Sequence, residues 1–475
     1  MRVARSTRTL IAAALAAVLL AACGSTDQAA PMSVGSTAPA AASPTPSEPT
    51  TSAQPTPPST SISPVTALTA PPSTADPTPA PVAPAVPVPP GGLVTPDDMA
   101  QAAAAVAAMS VPDQAGSVIM ASSANAVGTD EISRLHLGGV NLLGSKGIVN
   151  GTENGTPAEV AAVTAALQNQ AAAGDPPLLI ASDQEYGLVT RLVNGFTEFP
   201  GADELSGISD TAAAAAVTET VTAAAAAEML AVGINVDFAP DADVLPASGK
   251  SGVAGRTFGS DPQRVGTLVA AAVRGYQSAG LAATIKHFPG IGRVATDTHK
   301  ALPSLDIGCE EWNAVESVPM RAGVDAGSAL VMTGHIELPA VGATGLSSAF
   351  SSAVVTDLLR GSGLAGCNGL NFHGVAVSDS FVMAPVLNAY GPAEAAWRGL
   401  AAGLDIVLMP KDPAAAVAGI VTAVGDGSLA PARLQEAATR VYALRLALAR
   451  SPIPSLDVVG SDAHAAIAAD ARSRG

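Results

Sequence analysis

Eight short apolar runs recur between alanine-rich stretches beyond residue 95, and they constrain the fold more than any other feature of the chain. They occupy residues 117–120, 138–143, 177–182, 234–239, 282–287, 329–334, 374–378 and 405–409. Each is continuously apolar rather than alternating, the pattern of a parallel strand buried on both faces. The stretches between them carry helix signals. Residues 210–231 start after Ser209 and stop at Gly233, 262–278 follow Asp261, and 392–402, 413–424 and 431–449 each open on proline. Eight strand–helix repeats predict an α/β fold, a (β/α)8 TIM-type barrel forming a single catalytic domain over residues 96–475. The competing architecture is an open doubly wound sheet, but no Gly-x-Gly-x-x-Gly run follows an early strand.

The first 95 residues obey other rules. Residues 1–22 have a basic start (Arg2, Arg5, Arg8) and an apolar centre, the layout of a secretory leader. The apolar run is short for a membrane span. The leader ends in Leu20-Ala21-Ala22-Cys23, which resembles a bacterial lipobox with Cys23 as the lipidated N-terminus. An ordinary leader with an incidental cysteine is the alternative. From residue 23 to 95 the chain is mostly Pro, Thr, Ser and Ala, with no Lys, Arg or aromatic residue. Such a segment buries too little apolar surface to offset its ordering entropy, so a disordered tether is expected between a lipid anchor and the domain. This puts the protein outside the cytoplasmic membrane, attached through its N-terminus. The formal net charge of −17 argues against nucleic acid as a partner. Cys309 and Cys367 form an even pair in an oxidising compartment, where a disulfide and two free thiols are both open. No cysteine spacing suggests zinc, and no metal or cofactor is expected.

Chemistry in a barrel is built where strands end. Only 13% of residues are charged, yet charged and titratable groups crowd those ends. Run three leads into Asp183-Gln184-Glu185, with Arg191 beyond. Run four leads into Asp241 and Asp243, with Arg256 in the loop, and run five into Lys286 and His287. Run six is followed by His335 and Glu337, and run seven by Asp379. For Asp241 and Asp243 a cap or loop role is the expectation, because Asp readily caps the helix after a strand. Farther along the fifth connection, Asp297-x-His299 places a carboxylate where it can orient and charge-balance an imidazole, which suits proton transfer. Carboxylates and cations in an apolar mouth fit a polyhydroxylated substrate. A carboxylate nucleophile with a separate proton donor is what retaining glycoside hydrolysis requires, and Asp379 and His299 can fill those roles.

These residues fall into four ordered motifs that resemble the family 3 glycoside hydrolases, specifically the single-domain bacterial β-N-acetylglucosaminidases. Residues 286–303 are similar to the Lys-His-Phe-Pro-Gly-x-Gly…Asp-x-His…Pro signature. Residues 374–379 resemble the nucleophile strand. Asp183-Gln184-Glu185 with Arg191 resembles the third-strand motif, and residues 255–262 resemble the Arg-x-Phe-x-x-Asp-Pro motif. The resemblance implies that Asp379 attacks the anomeric carbon, that His299 is the acid/base and that Asp297 orients it. It implies that Asp183, Arg191, Arg256, Lys286 and His287 hold the non-reducing sugar. The implied substrate is a terminal N-acetyl-β-D-glucosaminide, as in peptidoglycan fragments, cleaved by a monomer. Wider relatives supply a Glu from a second domain. After run eight about 65 residues remain here, so the acid is expected from the barrel itself. A neutral imidazole also tolerates an anionic acceptor, which keeps a phosphorylase using the same residues open. A non-catalytic sugar-binding lipoprotein is the third reading. The chain departs from the family pattern at Tyr186, Ile291, Arg293-Val294 and Ser380-Phe381, positions expected to line the outer pocket.

Overall fold

The computed structural model describes residues 92–143, 155–172 and 174–475. All eight apolar runs contain strands: β1 (Ile119–Ser122), β2 (Gly139–Asn141), β3 (Leu179–Ser182), β4 (Val236–Asp237), β5 (Ala282–Phe288), β6 (Leu330–Thr333), β7 (Val375–Ser378) and β8 (Val407–Leu408). They pair in parallel in the order β8-β1-β2-β3-β4-β5-β6-β7. A parallel bridge between Val377 and Ile406 brings β8 beside β7 and completes the ring. An open doubly wound sheet would end in two separated edges, so the barrel stands. Each strand has one face toward the barrel interior and one toward the surrounding helices. Leu179, Ile180 and Ala181 are accordingly all buried. Full burial of each large aliphatic side chain contributes about 1.5–3 kcal/mol.

The helices follow their sequence signals with one correction. Thr211–Ala231 is capped by Asp210, whose carboxylate accepts the Ala213 N–H at 2.7 Å; Ser209 is not the cap. Pro262–Ser278 is capped by Asp261, which accepts the Gln263 N–H at 2.9 Å. These two helices approach closely at Gly275, where a Cβ would lie 2.0 Å from the Thr222 hydroxyl. At the opposite end from the mouth, Asp405 at the approach to β8 is buried among Arg360, Arg433 and Arg440. Burial would raise its carboxyl, but the three guanidinium groups outweigh that and hold it low. The last strand is thereby fastened to the helix Pro431–Leu448.

Between β6 and β7 the chain forms a π-helix, Ala353–Arg360, and a short antiparallel hairpin, Gly363–Leu364 with Cys367–Asn368. A disulfide joins Cys309 to Cys367 and ties this hairpin to the helix Cys309–Ala314, which follows the long connection after β5. The expected leader 1–22, Cys23 and the linker as far as residue 91 lie outside the described residues.

Candidate active site

β3, β5 and the loop after β4 deliver the densest set of charges. Successive side chains of a regular strand point to opposite faces, so Lys286 and His287 would diverge. The β5–β6 register slips between Ile285 and Phe288, and both side chains are buried against one cavity. Irregularities of this kind re-aim side chains. Lys286 Nζ lies 2.6 Å from Glu185 and 3.1 Å from Asp183. Arg256 holds the same Glu185 with two parallel bonds of 2.8 Å, from Nε and Nη2. Burial would raise the Glu185 carboxyl, but the charges of Lys286 and Arg256 overturn this and hold it at about 2. Burial likewise opposes both cations, and their carboxylate partners keep each above its ordinary range. Gln184 turns the other way. Its Oε1 accepts the backbone N–H groups of Arg191 at 2.7 Å and Leu192 at 2.9 Å, and its own N–H donates to Asp237.

Of the cap or loop role expected from sequence, Asp241 and Asp243 take the loop position after β4 and cap no helix. Both are buried beneath His287 and Arg256. Asp243 accepts the His287 ring at 2.8 Å and the Ile291 N–H at 2.6 Å. Burial pushes Asp243 up to about 6 and His287 down to about 4, so the imidazole is neutral at pH 7. Its Nδ1–H then faces Asp243 and its Nε2 lies 3.5 Å from Arg256 Nη2. The ligand atoms of Asp241, Asp243 and His287 lie within 4.8 Å of one another, a spacing that a cation could use. Arg256 already brings positive charge to within 3.6 Å of Asp241, and both Asp243 oxygens are engaged. The donor set therefore fits an internal ion-pair network better than a metal.

Asp379 follows β7, and its N–H donates to Thr333 at the end of β6 at 2.8 Å. Its Oδ1 accepts the Ser380 N–H at 2.7 Å. Behind it lies the fully buried His335. Its Nε2 is 3.1 Å from the Ser380 carbonyl, which can only accept, so Nε2 carries the hydrogen and Nδ1 accepts the Ser347 hydroxyl at 2.9 Å. Burial opposes charge on Asp379, but His287, His335 and the Ser380 N–H outweigh it and keep the carboxyl below its ordinary range.

The Asp297–His299 segment is built differently. Asp297 Oδ1 accepts both the His299 N–H and its ring Nδ1 at 3.0 Å, and Lys300 Nζ stands 3.1 Å from Oδ2. The His299 N–H and then Lys300 hold the Asp297 carboxyl at about 2. Both side chains are exposed, and the Ala384 N–H donates to the His299 carbonyl at 3.1 Å, linking this loop to the segment after Asp379. No hydrogen bond joins His299 to Asp379 among the described residues. At the root of the loop, Arg293 pairs with Glu311 and Glu316.

Asp183, Arg191, Arg256, Lys286, His287, Asp297, His299 and Asp379 all line one cavity of about 320 Å³. Of the departures from the family pattern, Ile291, Val294 and Ser380 line it as well. Tyr186, Arg293 and Phe381 do not: Tyr186 packs edge-on against Phe199, and Phe381 packs on Phe350 and His335. Glu185 and His335, both named at strand ends in the sequence, take roles not assigned there, and Asn141 escaped sequence reasoning. Glu185 joins the two cations. His335 braces the Asp379 turn. Asn141, a lone polar residue inside an apolar run, lines the floor.

Residues 106–444 match the family model described as glycosyl hydrolase family 3 N terminal domain. A β-hexosaminidase of Stenotrophomonas maltophilia is 35% identical over 240 residues, covering 50% of this chain and 68% of that protein. The solved family 3 β-N-acetylglucosaminidase of a Paenibacillus species superimposes with a TM-score of 0.68 at 31% identity, covering 77% of this chain and 69% of its own. The β-N-acetylhexosaminidase of Beutenbergia cavernae gives 0.61 at 30% identity, over 71% of this chain and 98% of its own.

Proposed function

The chain belongs to glycosyl hydrolase family 3 and is a glycoside hydrolase of the β-hexosaminidase type; from that premise we propose that it is a retaining exo-β-N-acetylglucosaminidase with Asp379 as nucleophile and His299 as acid/base. The observation that carries this reading is the single cavity shared by Asp379, His299 and the charged cluster around Lys286.

The sugar ring lies against Asp183, Arg191, Arg256, Lys286 and His287, which take its hydroxyls. Ser380 restrains one oxygen of Asp379, and the other attacks the anomeric carbon. The bond to the aglycone breaks as protonated His299 gives its proton to the leaving oxygen. Neutral His299 then takes a proton from water, which attacks the same carbon and releases Asp379, so configuration is retained. Asp297 stabilises the imidazolium while it carries the charge. The test is hydrolysis of an aryl N-acetyl-β-glucosaminide by wild type and Asp379→Asn, with and without phosphate. The variant should lose at least ~10⁴-fold in kcat. Undiminished activity would remove Asp379 from the mechanism, and a sugar 1-phosphate product would replace hydrolysis by phosphorolysis.

The substrate we infer is a peptidoglycan fragment, cut at the cell envelope by a monomer tethered through lipidated Cys23. The support is the leader, the cysteine that ends it and the proline-rich tether. In fractionated cells, Cys23→Ala should move the protein from membrane to soluble fraction; retention in the membrane would discard the anchor.

A further inference from the structure

β2 carries one polar side chain toward the cavity, and its oxygen has no partner among the described residues. Asn141 is 1% exposed and lines the cavity floor. Its Nδ2 lies 3.6 Å from Met409 Sδ. A thioether can only accept, so this contact fixes the amide with Nδ2 toward the sulfur. Oδ1 is then left over, and it is buried without a hydrogen-bond partner among the described residues. Met409 lies beside it, and the other cavity residues from β2, β6, β8 and their ends, Leu143, Met332 and Leu408, are apolar. A leucine would fill the position without cost, whereas an orphaned buried acceptor is destabilising. Buried polar atoms without partners are rare enough to need an explanation, and one on a residue that lines a ligand cavity has a direct one.

We propose that Asn141 Oδ1 is a specificity-determining acceptor for one neutral donor on the bound sugar. This rests on the N-acetylglucosaminidase reading and extends it to β2, the neighbour of β3. The cations and carboxylates of the site come from β3, β5, β7 and the loops after β3, β4 and β5. The walls contributed by β2, β6 and β8 offer Asn141 as their polar group among the described residues. A neutral amide oxygen set in an apolar wall selects an O–H or N–H whose surroundings are also apolar. Two exocyclic groups of an N-acetylglucosaminide qualify, the 6-hydroxyl on its methylene and the acetamido N–H beside its methyl.

The experiment compares wild type with Asn141→Leu on three aryl substrates: the N-acetyl-β-glucosaminide, its 6-deoxy analogue and the β-glucoside lacking the acetamido group. On the parent, Asn141→Leu should lower kcat/KM by about 5- to 50-fold. The wild-type preference for the parent over one analogue should shrink by the same factor, and that analogue names the donor. The thermal midpoint should hold or rise, because an apolar side chain replaces an orphaned acceptor. Asn141→Ala must reproduce the selective loss, so a folding failure in the leucine variant does not shield the idea. Equal losses on all three substrates, or a loss that follows a fall in thermal midpoint, would make Asn141 structural and overturn the assignment. An unchanged variant beside an active wild type overturns this inference alone. A wild type inactive on the parent overturns it together with the N-acetylglucosaminidase reading.

Discussion

The Lys286 side chain is 1% exposed and is held by two carboxylates, whereas the His299 side chain, on the connection that follows it, is 72% exposed and held by one. The first belongs to a buried network in which Lys286 and Arg256 are each held by carboxylates. The second sits on a loop that touches the barrel through a few bonds and is braced at its root by Arg293. The contrast follows from what each must do. Groups that hold hydroxyls gain by being fixed before the sugar arrives, since their ordering is then complete. A group that gives a proton to one oxygen and takes one from water must meet solvent between the two steps, and a surface loop permits that.

Three substitutions probe the contrast, in falling order of effect. Lys286→Met leaves partly buried Asp183 without its cation and Glu185 with Arg256 alone, and should cost up to about 3 kcal/mol of stability as well as activity. A denaturation midpoint equal to that of wild type would show that the cluster is not structurally committed. His299→Ala should lower kcat/KM by about 10²–10⁴-fold while leaving thermal stability unchanged. If its thermal midpoint drops as far as that of Lys286→Met, the loop is as integrated as the cluster and the contrast collapses. The smallest effect belongs to Asp297→Asn. Asp297 Oδ1 accepts the His299 ring Nδ1, and the amide should hold the ring less firmly, lowering kcat/KM by about 10-fold with KM and the thermal midpoint unchanged. Activity equal to that of wild type would remove Asp297 as the group that positions His299.

The barrel was legible because parallel strands buried on both faces leave continuous apolar runs, and all eight runs contained strands. The charged strand ends were legible for the same reason: polar residues stand out at the margins of apolar ones. What was not legible depends on contacts between distant segments. Asp241 and Asp243 carry the local signature of caps, and only the packing of His287, Arg256 and the Ile291 N–H over them shows that they face inward. Ser209 and Asp210 are both good caps, and hydrogen-bond geometry chose the second. Asn141 differs from the apolar residues around it by one polar side chain, which gives no pattern to read. The irregularity that aims Lys286 and His287 the same way also leaves no mark on the sequence.

The Cys309–Cys367 disulfide encloses β6, the π-helix and half of the hairpin in one covalent ring. A protease that nicks the backbone once anywhere from residue 310 to 366 therefore releases nothing. The two new ends stay joined through sulfur, and the part bearing His299 remains bonded to the part bearing Asp379. Damage in this stretch is therefore a break in one ring and not a loss of half the active site.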